Sequence, residues 1–189
     1  MSQKGDAIRI QIIESANRLF YQRGFQATSF ADLAKASGVP KGNYYFHFKT
    51  KEALLEAVIA ARIERLRDQL ASWSTTLAQP KDRLRRAVRM IEVEQDALIV
   101  HGCPIGTLIA ELSKSHPAQK RQLASMLKMI ETWMAEQVLP LTGNKKQAQQ
   151  HARTLLAHMQ GAATLATAYE DRSQIVQAIV ALDSIIDAL

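Results

Sequence analysis

The chain has 189 residues, 47% of them hydrophobic, a net charge of +6 and a single cysteine. That is ample material for the core of one large domain or two small ones, and it excludes a disordered chain. No apolar run approaches the roughly 18–20 residues that span a bilayer, the first ten residues lack the apolar centre of a secretion signal, and one cysteine allows neither an internal disulfide nor a cysteine-based metal site. The expectation is a cytoplasmic protein without a membrane role.

The charge is unevenly spread. Residues 1–52 carry eight Lys/Arg against four Asp/Glu, and the remainder carries sixteen against fourteen. A basic excess confined to one segment is the footprint of phosphate binding.

In chain order, Asp6–Gly24 predicts a helix with a buried stripe of Ile8, Ile12, Ala16, Leu19 and Phe20. Its basic residues Lys4, Arg9 and Arg18 are either solvated or in reach of phosphates. Ser29 and Asp32 form a capping box for a second helix, and Gly38 suits its end. Pro40 opens a short third helix, Pro40–Phe46, in which Tyr44 and Phe48 pack inward. That leaves Lys41, Gly42, Asn43, Tyr45 and His47 outward. Lysine can donate to guanine, asparagine can read adenine, and glycine admits a close backbone. A short helix carrying such groups after a tight turn is how helix-turn-helix proteins enter the major groove.

The stretch Thr28 to Glu52, TSFADLAKASGVPKGNYYFHFKTKE, resembles the tetracycline-repressor (TetR) family of transcriptional regulators. By motif the resemblance covers about the first third of the chain. Pro40 and Tyr44 depart from the serine and the leucine or isoleucine that many relatives carry there. The resemblance implies that Thr28 and Ser29, at the start of the second helix, lie against the DNA backbone, and that Lys51 touches a phosphate. The expected DNA-binding set is Thr28, Ser29, Lys41, Gly42, Asn43, Tyr45, His47 and Lys51.

Thr50 caps a long helix, Lys51 to about Leu77, and Gln79-Pro80 breaks the chain. One helix is expected from Pro80 to Val100, with Arg83, Arg85, Arg86 and Arg89 as a solvated face paired to acids or as an anion site. Gly102 and Pro104 break the chain again before a short apolar helix, Ile105–Leu112. Helices then follow over Pro117–Leu139, Lys145–Glu170 and Ser173–Leu189, the last capped by Ser173. Nothing alternates as a strand would, so the fold class is all-α. The expected domains are a helix-turn-helix head, residues 1–52, and a helical effector-binding and dimerisation domain, residues 53–189.

The histidines 47, 101, 116, 151 and 158 offer no metal triad, and no nucleophile elbow or phosphate loop occurs, so no metal, cofactor or catalytic residue is expected. Met90, Met126, Met129, Met134 and Met159, with Trp73, Trp133 and Tyr169, either fill a core or line an apolar pocket. The resemblance implies an effector pocket in this region, and Cys103 is either an inert thiol or a sensor within it. The last two helices carry apolar surface for a two-chain four-helix bundle through Leu155, Met159, Ala162, Ala166, Ile175, Ile179, Leu182 and Ile186. The expected function is a ligand-responsive repressor, a homodimer on a palindromic operator, released by an apolar or amphipathic effector. The rivals are a helical DNA-binding or partner-recruiting protein without an effector, and a helical enzyme or carrier.

Overall fold

The computed structural model describes residues 3–189, with side chains from residue 5. The Lys4 side chain, read above as either solvated or in reach of phosphates, lies outside the described residues. Every regular element among these residues is a helix: α1 Gln3–Arg23, α2 Phe30–Ser37, α3 Lys41–His47, α4 Lys51–Thr76, α5 Pro80–Val88, α6 Met90–Val93, α7 Gln95–His101, α8 Gly106–Leu112, α9 Pro117–Thr142, α10 Lys145–Tyr169 and α11 Ser173–Asp187. They form two compact units. Residues up to Arg65 and Leu108–Leu123 make the first, and Leu66–Thr107 with Ala124–Leu189 make the second.

The first unit packs α1, α2 and α3 on one another. Ile12, Ala16 and Phe20 from α1, Leu33 from α2, Tyr44 from α3 and Leu54 and Val58 from α4 are all buried. Each large apolar side chain so buried contributes about 1.5–3 kcal/mol. Leu108, Leu112 and Leu123 are buried in the same unit, although far along the chain.

In the second unit α10 packs on α11 and α7, and α11 also packs on α5 and α6. The single helix expected over Pro80–Val100 is interrupted at Arg89 and Glu94. At the first interruption Arg89 donates from Nη2 to Asp183 of α11 at 2.6 Å and also pairs with Glu92. Residue 140 was expected to lie beyond α9, yet Pro140 sits in its last turn. Proline there cannot donate to Glu136 O, but the helix still closes beyond it, with Leu139 O accepting the N–H of Gly143 at 2.9 Å. The cap of α11 is also not Ser173. Asp171 accepts the Ser173 N–H at 2.8 Å and the Ser173 hydroxyl at 2.5 Å. Asn144, read as loop, caps α10 by accepting from the N–H of Lys146 and Gln147.

Candidate nucleic-acid interface

The helix-turn-helix is held by three local devices. At the start of α2, the Ser29 N–H donates to Asp32 Oδ2 at 2.9 Å and the Asp32 N–H donates to Ser29 Oγ at 3.2 Å, closing the capping box. The Ser29 hydrogen bonds, side chain first and backbone second, hold the Asp32 carboxyl below its ordinary range. At the end of α2, Gly38 takes φ +70°, and its N–H donates to Ala34 O at 3.0 Å. A side chain would be strained in that left-handed conformation. Pro40 is the residue before α3 rather than its first helical residue, with φ −54° and ψ 140°.

Tyr44 locks α3 to α2. It is fully buried, its hydroxyl donates to Leu33 O at 3.0 Å, and Ser37 Oγ lies 2.8 Å away. Burial pushes the Tyr44 phenol above its ordinary pKa. Phe48, one turn on, is buried beside it, with the Arg9 guanidinium 5.1 Å from its ring centre.

With Tyr44 and Phe48 inward, Lys41, Gly42 and Tyr45 are exposed and Asn43 and His47 half-buried. A Cβ added at Gly42 would meet nothing within 4 Å. The Tyr45 ring is 49% exposed and stands edge-on to Phe30 at 5.1 Å, with Lys41 Nζ 5.8 Å from its centre. Ser29, Tyr45, Lys49, Thr50 and Lys51 share a shallow cleft of about 490 Å³. None of the seven residues of α3 is acidic, so nothing on it repels a phosphate.

Thr28 and Lys51 depart from the expected set. Thr28 is buried, and its hydroxyl donates inward to Gly24 O at 2.7 Å, closing the turn between α1 and α2. Lys51 Nζ donates to Phe25 O at 2.9 Å and Gln26 O at 3.2 Å, and sits 4.4 Å from the Phe25 ring centre. The same turn gives its N–H groups to Glu111: Phe25 N–H at 3.0 Å and Gln26 N–H at 2.7 Å. A cation thus takes the carbonyls and an anion takes the amides. Sequence spacing gave no sign of Glu111, which lies 86 residues from Phe25. Phe46, 72% exposed, was also missed, although its position opposite Tyr44 on a helical wheel marks it.

The residues expected to line an effector pocket are divided. Met129 and Trp133 share a cleft of about 410 Å³ with Arg67, Leu70, Ala71 and Lys128. Trp73 and Met90 border a smaller one of about 130 Å³ with Arg86 and Glu94. Trp73 and Trp133 meet edge-on at 5.9 Å, and Trp133 Nε1–H donates to Ser74 Oγ at 2.9 Å. Met126, Cys103, Met159 and Tyr169 line neither cleft. Met126, Met134 and Met159 are buried, Tyr169 is exposed, and the Cys103 sulfur accepts the Gly106 N–H at 3.4 Å. Of the four arginines of α5 and its end, Arg85 and Arg89 are paired to acids, Arg83 bonds Leu77 O and Gln137, and Arg86 lies over the Trp73 ring. Among the described residues no group of His, Cys, Asp and Glu could hold a metal ion, and no helix is long and apolar enough to cross a membrane.

The dimer set needs a correction. Leu155, Met159, Ala162, Ala166, Ile175, Ile179, Leu182 and Ile186 are all buried within the single chain. They are the stripes by which α10 and α11 pack inside their own unit. An apolar stripe does not say whether its partner lies in the same chain. The apolar side chains these helices leave outside are Leu165, Tyr169, Val176 and Val180.

Comparison with known proteins agrees with this geometry. Residues 12–58 match the family described as bacterial regulatory proteins, tetR family, and residues 63–180 match the C-terminal domain of LmrA/YxaF-like transcriptional regulators. An uncharacterised HTH-type transcriptional regulator of Lactococcus lactis is 26% identical over 166 residues, covering 85% of this chain and 84% of that protein. The HTH-type transcriptional repressor DhaR of a Mycobacterium species is 28% identical over 127 residues, 67% of this chain and 62% of that protein. A TetR-family regulator from Cytophaga hutchinsonii superposes with a TM-score of 0.84 at 21% identity, over 100% of this chain and 98% of that one. Two matched segments, together spanning most of the chain, therefore make it a member of the TetR family: a helix-turn-helix, DNA-binding transcriptional regulator with a C-terminal domain of the LmrA/YxaF kind.

Proposed function

We propose that the protein is a repressor that binds a palindromic operator as a homodimer and is released by an apolar or amphipathic small molecule. The observation that carries this is the outer face of α3. Lys41, Gly42, Asn43, Tyr45 and His47 stand on a helix free of acids, held by the buried Tyr44. Residues 1–52 are the DNA-binding part and 53–189 the effector and dimer part. Ser29 flanks the cleft beside Tyr45 and suits a phosphate there.

The dimer uses the outer side of α10 and α11, around Leu165, Val176 and Val180, so that two copies form a four-helix bundle. Twofold symmetry then sets two recognition helices about 34–36 Å apart, or a near multiple, on two half-sites. The effector lies in the cleft of Leu70, Ala71, Met129 and Trp133, whose lining also includes Arg67, Lys128 and Glu136. It lowers occupancy by binding the DNA-free state more tightly, a preference of several kcal/mol. The protein acts where the chromosome lies, in the cytoplasm, and does not itself catalyse a reaction.

The test is selection from random duplexes, followed by binding to the selected and scrambled sequences across a salt series. A selected palindrome bound far more tightly than its scramble is expected. Lys41→Ala or Tyr45→Ala should then cost about 1–3 kcal/mol on that palindrome alone. Equal affinity for every duplex overturns the reading.

A further inference from the structure

Phe46 is a large apolar side chain on the outer surface of the recognition helix. At about 100° per residue, it lies about 200° round α3 from the buried Tyr44. Gly42, one turn earlier, lies on the same side. The centre of the outward face is thus a bare backbone followed by a phenyl ring, and the polar Lys41, Asn43, Tyr45 and His47 flank it.

Single exposed apolar residues are ordinary on protein surfaces. Three features set Phe46 apart. It is 72% exposed on a helix of a DNA-binding motif, so with α3 in a groove its ring would meet DNA and not bulk solvent. Its ring stands edge-on to the His47 ring at 5.0 Å and 88°, which restricts how it can swing. Nothing within 4 Å crowds a Cβ at Gly42, so the backbone beside it can approach the bases closely.

The one bulky apolar group in the major groove is the C5-methyl of thymine; beside it stand hydrogen-bond donors, acceptors and small C–H edges. We propose that Phe46 is a specificity-determining residue that selects thymine in each operator half-site by packing on that methyl. This rests on the reading of α3 as the element that enters the major groove. Lys41 and Asn43 read their bases through hydrogen bonds, whereas Phe46 reads by exclusion: a cytosine amine or purine edge against the ring loses its water and gains no partner.

The experiment uses the full-length protein and the tightest duplex it recovers from a random pool. Each thymine is replaced by deoxyuridine, one symmetric pair at a time, which removes the methyl and leaves base pairing intact. For one pair, wild type should bind about fifteenfold more weakly, from about 0.8 kcal/mol or fourfold per methyl. Phe46→Ala should bind the unmodified duplex more weakly by a similar factor and should be indifferent to that same replacement. Its thermal melt should match wild type, since the side chain is exposed. Phe46→Leu should keep part of the methyl preference. If every thymine is replaceable without loss, or the sensitive pair is equally sensitive in Phe46→Ala, the role of Phe46 is overturned while operator binding stands. A wild type that recovers no preferred duplex removes the underlying reading and this inference together.

Discussion

The Lys51 ammonium lies 2.9 Å from the Phe25 carbonyl oxygen and 4.4 Å from the centre of the Phe25 ring. Glu111 holds the amide of the same residue at 3.0 Å. The turn that delivers the chain to α2 is therefore clamped by opposite charges. Charged partners of buried or half-buried backbone groups contribute about 1.5–3 kcal/mol each. Lys51→Ala and Glu111→Ala should each lower unfolding free energy by about 1–3 kcal/mol in urea titrations, and the double variant should lose less than the sum. A Lys51→Ala variant of unchanged stability, with a salt slope of DNA binding reduced by about one unit, would make Lys51 a phosphate ligand instead.

Tyr44 supplies a second test of the head. Tyr44→Phe keeps the ring and removes the hydroxyl that serves Leu33 O and lies against Ser37 Oγ. The expected loss is about 1 kcal/mol, with operator specificity retained. Tyr44→Ala leaves a cavity and should cost about 3–5 kcal/mol, enough to melt the head at ambient temperature. Amide exchange in α2 and α3 reads both outcomes.

The capping box makes one contribution to stability depend on acid. The Ser29 hydrogen bonds depress the Asp32 pKa in the folded chain. A depressed carboxyl stabilises the fold above its unfolded pKa, near 3.8, and that contribution fades as pH falls through the lower folded value. Asp32→Asn should therefore flatten the acid limb of a stability profile below about pH 4 and leave its shape near neutrality unchanged. Ser29→Ala should cost about 1 kcal/mol at neutral pH. An Asp32→Asn profile that parallels wild type at every pH would remove the charge from the cap.

Assembly can be separated from folding. Val176 is 56% exposed and Val180 63% exposed, one turn apart on α11. Val176→Asp with Val180→Asp should give a folded monomer in sedimentation at micromolar concentration. Leu155→Asp or Ile179→Asp should instead unfold the protomer, since a charge would sit in its own core. A dimer that survives the Val176 and Val180 changes moves the interface elsewhere.

Trp133 can test the proposed effector cleft, which it lines. An amphipathic ligand seated between Leu70 and Met129 should change its fluorescence, and Trp73→Phe should leave that change in place. Met129→Ala should weaken the ligand. Cys103→Ser should still be released from operator DNA by a reversible ligand, whereas loss of release would point to an electrophile acting on the thiol.

Much of this was legible in the sequence because it is local. The capping box, the Gly38 turn, the inward Tyr44 and Phe48 and the Thr50 cap all depend on residues a few positions apart. What the sequence hid is what depends on distant partners. Thr28 reads equally well as a phosphate ligand and as the closure of a turn on Gly24. Lys51 reads as a surface cation until Phe25 is placed beneath it. Leu155 and Ile179 form an apolar stripe whichever chain covers them. The interruptions at Arg89 and Glu94 carry neither proline nor glycine, so no local residue announces them.

The first unit is discontinuous along the chain, since Leu108–Leu123 belongs with the residues up to Arg65. Within it, Glu111 grips the turn after α1, and His116 stands edge-on to Phe25 at 5.2 Å. During synthesis the ribosome releases the whole helix-turn-helix long before it releases those two residues. At about 5–20 residues per second, several seconds pass in which α1, α2 and α3 are present but the α1–α2 turn lacks its anion. A nascent chain arrested after α4 should thus hold a head that is helical yet loose at Phe25 and Gln26. The head should reach its final rigidity only once Leu123 has cleared the exit tunnel, before the helices α10 and α11 of the proposed dimer are made.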